Sequence, residues 1–248
     1  MNEENTPTCE QERELANTCC EKDTNDNYRD LNRDILQYPT TRLYSITCYE
    51  NALKHGFHNH HTSIEHDAVM IITELCEAVN AHRARETFPQ NLEDAIHMAI
   101  EDKKIEPDTS PDSFYSDLEK RRASVTGAYE EYIQGTFPDE LADAYIRCMD
   151  YIAYHQLNNI LEEQLEFIYN PEKRIKIESQ MRGLSLPHMI GVILENFYNI
   201  YHDDTKYVIK LLIGIWAIAN IFEIHLQGFI EAKILYNANR PMLHGKQY

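Results

Sequence analysis

Past Asp139 in its first turn, four charged side chains, Glu140, Asp143, Arg147 and Asp150, interrupt the largely apolar run Phe137–Tyr154 (FPDELADAYIRCMDYIAY). Offsets of three, seven and ten residues from Glu140 place them on one stripe of a helix. A second apolar run, Ala68–Ala81 (AVMIITELCEAVNA), carries only Glu74 and Glu77 as charges, three residues apart on one face. A carboxylate buried without a counter-charge costs on the order of several kcal/mol, so four on two facing apolar helices require a cation between them. Oxygen ligands with no His or Cys beside them favour Mg²⁺ or Mn²⁺ over Zn²⁺. For Arg147 and Asp150 the simpler reading is an internal ion pair that orients the acidic helix from behind the ligands.

The elements that position these groups are helical. Thr136 reads as the N-cap of the central helix, with Pro138 near its first position and Asp139 and Glu140 in a first turn where the macrodipole favours acids. A first helix is expected from about Thr41 to Lys54, with Leu43, Ile46, Tyr49 and Leu53 as its stripe and Gly56 as its stop. The Glu74 helix is expected to open at Thr62, where Glu65 completes a capping-box pattern, and to run to about His82. Residues 83–135 are more polar, contain Pro89, Pro107 and Pro111, and read as an insertion holding helices at Leu92–Lys103 and Ser113–Gln134. The charge run Asp117–Arg122 reads as a solvated helix face. Beyond the central helix come Asn158–Tyr169, a break at Asn170-Pro171, a second break bracketed by Gly183 and Pro187, and a helix over His188–Tyr201. A long apolar helix from Asp204 to about Asn239, capped by Asp203 or Asp204, is expected to close the chain. Strand-type alternation is nearly absent, so the fold class is all-α.

Composition limits the function classes. A net charge of -18 argues against a general surface for a nucleic-acid polymer, which is bound by clustered Lys and Arg. Six cysteines without a CxxC pattern read as free thiols of a reducing compartment. The acidic N-terminus is not a signal peptide, and Leu211–Phe222, broken by Asn220, is too short to span a membrane. These features point to a soluble, cytoplasmic protein. Residues 1–38 hold too few large apolar side chains to offset their ordering entropy and are expected to form a disordered or loosely docked arm.

Other groups in the chain have residue types that can do chemistry. His58 and His61 have ligand-like spacing but no cysteine or carboxylate pair to complete a tetrahedral site, so solvated loop histidines are the better reading. His66-Asp67 and His202-Asp203 are the dipeptide that HD-type phosphohydrolases use, without the further ordered ligands those enzymes need. Phe57, Tyr145 and Trp216 could stack on a base, although core packing is the safer reading for each. Lys233, Asn237 and Arg240 share a stripe at offsets of four and seven, followed by His244, Lys246 and Tyr248. Cations at a helix C-terminus compensate the macrodipole, and this concentration of donors in an acidic chain could also meet phosphate oxygens.

Three blocks together, Glu74-x-x-Glu77, then Glu140-x-x-Asp143 within GTFPDELADAYIRCMDY, then KILYNANRPMLHGKQY, resemble the MazG-type all-α nucleoside triphosphate pyrophosphohydrolases. The resemblance covers about Thr41–Ala81, Tyr132–Tyr154 and Glu231–Tyr248, and departs in the 62 residues (78 to 139) between the acidic pairs. It implies a single all-α domain over 39–248, with Glu74, Glu77, Glu140 and Asp143 binding Mg²⁺ or, in its place, Mn²⁺. It further implies that Lys233 and Asn237 contact phosphate, with Arg240 less secure, and that a (deoxy)nucleoside triphosphate is hydrolysed to the monophosphate and pyrophosphate. Such a role would be nucleotide-pool control or house-cleaning, with Glu74 or Glu77 taking the water's proton. Family members commonly pair subunits, which implies a homodimer or higher homo-oligomer, and the apolar stretch 205–230 would suit the interface. The alternative is a helical nucleotide-binding or regulatory protein that does not turn over. A di-iron bundle would need Glu-x-x-His pairs, which the chain lacks.

Overall fold

In the computed structural model, residues 40–60, 62–84, 87–102, 123–161, 171–195 and 207–242 are described. Among them there is no strand, and the chain runs α1 (Thr40–Lys54), α2 (Ile64–Ala84), α3 (Leu92–Glu101), a π-helical turn (Tyr129–Ile133), α4 (Phe137–Tyr154), α5 (Pro171–Met181), α6 (Leu186–Leu194), α7 (Tyr207–Ile221) and α8 (Leu226–Ala238). The class is all-α. The centre is α4, which packs against α1, α2, α7 and α8. Its Leu141, Ala144, Tyr145, Cys148, Met149 and Ile152 are all fully buried, and each large apolar side chain so placed contributes about 1.5–3 kcal/mol. Thr136 has the extended backbone of an N-cap (φ -87°, ψ 165°), but its side chain makes no capping bond. Asp139, in the first turn, instead reaches back to the chain entering the helix, its Oδ2 accepting the Gly135 N–H at 2.9 Å.

The structure corrects several expectations. On α1 the stripe expected to face the core is outside: Leu43, Ile46 and Leu53 are exposed. The inward face is Thr41, Tyr44, Ser45 and Cys48. That face is held by hydrogen bonds in place of aliphatic packing: Tyr44 Oη donates to Glu231 at 2.9 Å and Ser45 Oγ to Asn158 at 2.7 Å. At the start of α2 the cap is Ser63, whose Oγ accepts the His66 N–H at 3.2 Å, in place of Thr62 with its capping box.

The single closing helix is two helices bent by 117°. A straight helix over Asp204–Asn239 would be about 50 Å long, well beyond the ~30 Å span of a small domain. Glu223 takes a left-handed backbone (φ 57°), and the His225 N–H donates to Gln90 O at 2.9 Å. Phe222 is drawn inward against Phe137 and His82, at centroid distances of 5.0 and 5.2 Å. This bend returns α8 across α4. The apolar surface of α7 is consequently used within the subunit, with Val208, Leu211, Leu212, Ile215, Trp216 and Ile218 buried. No single helix among the described residues is long and apolar enough to cross a membrane.

The described parts of the expected insertion are integral to the core: Ala95, Ala99, Ala128, Tyr129 and Ile133 are fully buried. Of the expected Ser113–Gln134 helix, 123–128 is helical and passes into the π turn. Asp117–Arg122, Pro107, the arm 1–38, His61, Asp203 and His244, Lys246 and Tyr248 lie outside the described residues. Cys48, Cys76 and Cys148 are free thiols, two of them buried.

Gly214 marks where α7 closes on α6: a Cβ there would lie 2.9 Å from Ile193 Cβ, with Ile193 Cγ2 closer still. Gly214→Ala should therefore destabilise by roughly 1–3 kcal/mol in urea unfolding, despite alanine's better helix propensity. In an Ile193→Ala background the same substitution should cost less.

Candidate metal centre

Helices α2 and α4 lie antiparallel, since Arg147 pairs with Glu74 while His155, two turns later, pairs with the earlier Asp67. Because the apolar residues of both helices must interlock, their acidic stripes face each other along one groove. One carboxylate oxygen each from Glu74, Glu140 and Asp143 lies within 4.8 Å of the others. Glu74 is buried, and Glu140 and Asp143 are half-buried. Glu77, one turn along α2, is exposed at the rim and is not one of the three, although its charge is felt at Glu74 and Glu140.

Of the sequence stripe, Lys233 and Asn237 lie on α8 while Arg240 falls just beyond its end at Ala238, and Lys233 reaches the carboxylates. Lys233 Nζ lies 2.6 Å from Asp143 Oδ2 and 3.1 Å from each Asp139 oxygen. Asn237 is buried beside it, one turn on. Arg240 Nη1 donates to Asn237 Oδ1 at 3.5 Å, with its guanidinium 5.7 Å from the Tyr236 ring centroid. Sequence reasoning missed Asp139, whose place in the first turn was sufficiently explained by the macrodipole. It is 1% exposed and also accepts the Tyr129 hydroxyl at 2.8 Å. The usable signal was that an acid beside two others, Glu140 and Asp143, needs its own cation.

Arg147 and Asp150 are not paired with each other. Arg147 Nε donates to Glu74 Oε1 at 3.1 Å, and Asp150 Oδ1 meets His58 Nε2 at 2.8 Å. Each reaches across to a different element, because neighbours on one stripe of a packed helix point at the partner helix. The loop histidine is therefore not solvated: His58 stacks on Tyr154 at 4.5 Å. His66 is exposed and Asp67 is 3.2 Å from His155, so the HD dipeptide is not assembled into a ligand set. Tyr145 and Trp216 are core residues, whereas Phe57 is half-buried with the Arg147 guanidinium 5.6 Å from its centroid.

Electrostatics follow from burial. Desolvation, then Asp143 and Asp139, push the Glu140 carboxyl up to about 8. Burial and Asp143 raise Glu74 against the opposing pull of Arg147. Asp139 is raised by burial, with Lys233 opposing. For Lys233 desolvation lowers the pKa, but Asp143 and Asp139 together outweigh it and hold the ammonium charged. With every group ionised, the four carboxylates outnumber the two cations by two, which matches a divalent ion. An octahedral ion about 2.1 Å from its ligands sets oxygen separations of about 3.0 Å for neighbours and 4.2 Å across the centre. The observed spacing needs only small side-chain adjustments to meet that geometry. No protein-family model, curated protein or solved structure matches the chain.

Two outcomes follow for the metal-free protein. Folded, Glu140 keeps its proton to about pH 8, against about 4.5 for an ordinary glutamate. The stability it contributes is complete below the lower value and is lost as the pH rises through the upper one. Glu140→Gln should therefore melt a few degrees above the unmodified protein at pH 8.5, on the order of 1 kcal/mol for a half-exposed, screened side chain, with the gap closing toward pH 5. Lys233→Met leaves Asp139 and Asp143 without their shared cation and should cost about 3–5 kcal/mol in urea unfolding.

Proposed function

We propose that the protein is a Mg²⁺-dependent nucleoside triphosphate pyrophosphohydrolase of the MazG-type all-α fold, releasing a (deoxy)nucleoside monophosphate and pyrophosphate. The observation that carries this reading is the meeting of all three sequence blocks: Glu74 from α2, Glu140 and Asp143 from α4, and Lys233 from α8. Residues 94 positions apart in the chain, Asp139 and Lys233, touch there. Glu74, Glu140 and Asp143 would hold Mg²⁺, with Mn²⁺ able to substitute, and Glu77 would join from the rim. When bound, the ion would supply charge neutralisation on the phosphoryl oxygens and make water more acidic.

The chain's own groups supply the rest. Arg147 holds Glu74 in place, which leaves Glu77 on the solvent side to take the proton of the attacking water. As the water oxygen bonds to phosphorus, the anhydride bond between the α and β phosphates breaks and its electron pair stays on the bridging oxygen, which departs with pyrophosphate when the α phosphorus is attacked and with the monophosphate when the β phosphorus is. Lys233 neutralises phosphate charge, with Asn237 and Arg240 behind it on the same stripe. A second copy of the chain, forming a homodimer, would cover the exposed α1 stripe of Leu43, Ile46 and Leu53.

Pyrophosphate release from a panel of canonical and modified nucleoside triphosphates, with Mg²⁺, with Mn²⁺ and with EDTA, tests the reading. Metal-dependent release is expected, and Glu140→Gln or Asp143→Asn should reduce it at least about a hundredfold without loss of helicity. Near-normal turnover in either variant would overturn the metal assignment. Folded protein that binds nucleotide and metal but releases nothing would instead be the non-catalytic binding protein.

A further inference from the structure

The groove between α2 and α4 continues past the carboxylates. On α4, Asp143, Arg147, Asp150 and Tyr154 follow at steps of four, three and four; on α2, Glu74, Met70 and Asp67 run the opposite way. Beyond Arg147, the groove opens into a cleft of about 40 Å³ whose walls include Phe57, His58, Thr62, Met70, Asp150 and Tyr154. Asp143 and Asp150 are seven residues apart, about 10 Å of helix axis. A nucleoside triphosphate laid along the groove with its phosphates at the carboxylates would bring its base to this cleft.

The walls carry unmet polar capacity. His58 Nδ1 and Thr62 Oγ1 are buried without a hydrogen-bond partner, and the His58 side chain is only 7% exposed. The imidazole cannot readily turn away, because it stacks on Tyr154 at 4.5 Å and lies 5.2 Å from Tyr49. Donation from Nε2–H to Asp150 leaves Nδ1 of the neutral ring as an acceptor. Thr62 Oγ, in the wall of the same small cleft, can donate. An acceptor and a donor lining one cleft are complemented by a ring N–H beside a carbonyl oxygen, and buried polar atoms left unmatched carry a desolvation cost. Phe57, with the Arg147 guanidinium on its ring, offers a flat face at the mouth. The volume, about that of three waters, accepts the edge of a planar ring and not a bulkier group.

We propose that this cleft seats the nucleobase, with His58 Nδ1 and Thr62 Oγ reading a ring N–H and its adjacent carbonyl. This inference rests on the pyrophosphohydrolase reading and gives it a substrate class: bases with a keto-amide edge, such as uracil, thymine, guanine or hypoxanthine, over adenine and cytosine. Asp150 acts through His58 as a positioning residue.

Two measurements on the full chain separate this inference from the reading beneath it. Pyrophosphate release should favour deoxyuridine and deoxyguanosine triphosphates over deoxyadenosine and deoxycytidine triphosphates by at least about tenfold in kcat/KM, and Thr62→Val should abolish that preference by raising KM for the keto bases about tenfold. Phe57→Leu should raise KM for all bases alike. Calorimetry with deoxyuridine and deoxyguanosine, which lack phosphates, in the absence of metal reports the cleft alone: binding lost in Thr62→Val supports the inference even if no triphosphate is cleaved. Cleavage with the same base ratio in Thr62→Val and the unmodified protein overturns it and leaves the pyrophosphohydrolase standing. A protein that neither binds these nucleosides nor prefers keto bases overturns it as well.

Discussion

Lys233, held between Asp139 and Asp143, is the contact on which the arrangement of the molecule depends. The central helix α4 is largely enclosed by its neighbours and carries Asp139, Glu140 and Asp143 at its N-terminal end. Those two properties conflict, since each desolvated carboxylate costs several kcal/mol, roughly, unless a cation meets it. The ammonium resolves the conflict for Asp139 and Asp143, and the Arg147 guanidinium does so for Glu74. Glu140 has no dedicated cation, and its carboxyl is correspondingly pushed far above the ordinary glutamate range. The cluster thus gives every carboxylate but Glu140 a cationic neighbour yet still carries two more negative charges than positive ones when fully ionised, which is the excess a divalent ion neutralises.

That requirement shapes distant parts of the chain. Lys233 can reach α4 only because α8 turns back at Glu223, where a left-handed residue and the His225–Gln90 backbone bond end α7. Phe222 supplies the driving force by packing on Phe137, the first residue of α4. The bend that packs Phe222 against the start of α4 is therefore the same bend that delivers the cation one turn further along it. Packing and electrostatics are satisfied by one change of chain direction.

How much of this was legible in the sequence varied with the kind of signal. The bounds of α4 could be read because a cap position, a proline and an almost unbroken apolar circumference all agreed at Phe137–Tyr154. The convergence of Glu74, Glu140 and Asp143 was legible for a related reason: charges in apolar helices must find one another. Glu77 shares the spacing but not the depth, and spacing alone does not report depth. The inward face of α1 was misassigned because apolar periodicity assumes that the buried side is the aliphatic one, whereas Tyr44 and Ser45 bury themselves through hydrogen bonds. The bend between α7 and α8 was hidden for the opposite reason. Ile221, Phe222, Ile224 and Leu226 carry the apolar content on past the break, with Glu223 and His225 between them, and the left-handed Glu223 and the turn of Phe222 onto Phe137 end the helix.

The segment between the acidic pairs is where sequence and structure diverge most, and the divergence has a mechanical meaning. A polar, proline-containing stretch reads as an addition to a finished core. Its end nevertheless supplies Tyr129, whose hydroxyl is donated to Asp139 and whose ring stacks on Tyr236 at 4.4 Å, one helical turn from Lys233. Tyr129 so touches both the carboxylate and the helix that brings its cation. The π-helical turn that carries it is braced in turn by α3, through a hydrogen bond from the Tyr132 hydroxyl to Asp102. A π turn places one extra residue in the circuit, and here it rotates Tyr129 inward and Tyr132 outward at the point where the chain must enter α4. The segment is thus the buttress of the acidic end of α4. Changes in α3 should be felt at Asp139 before they are felt anywhere in the groove.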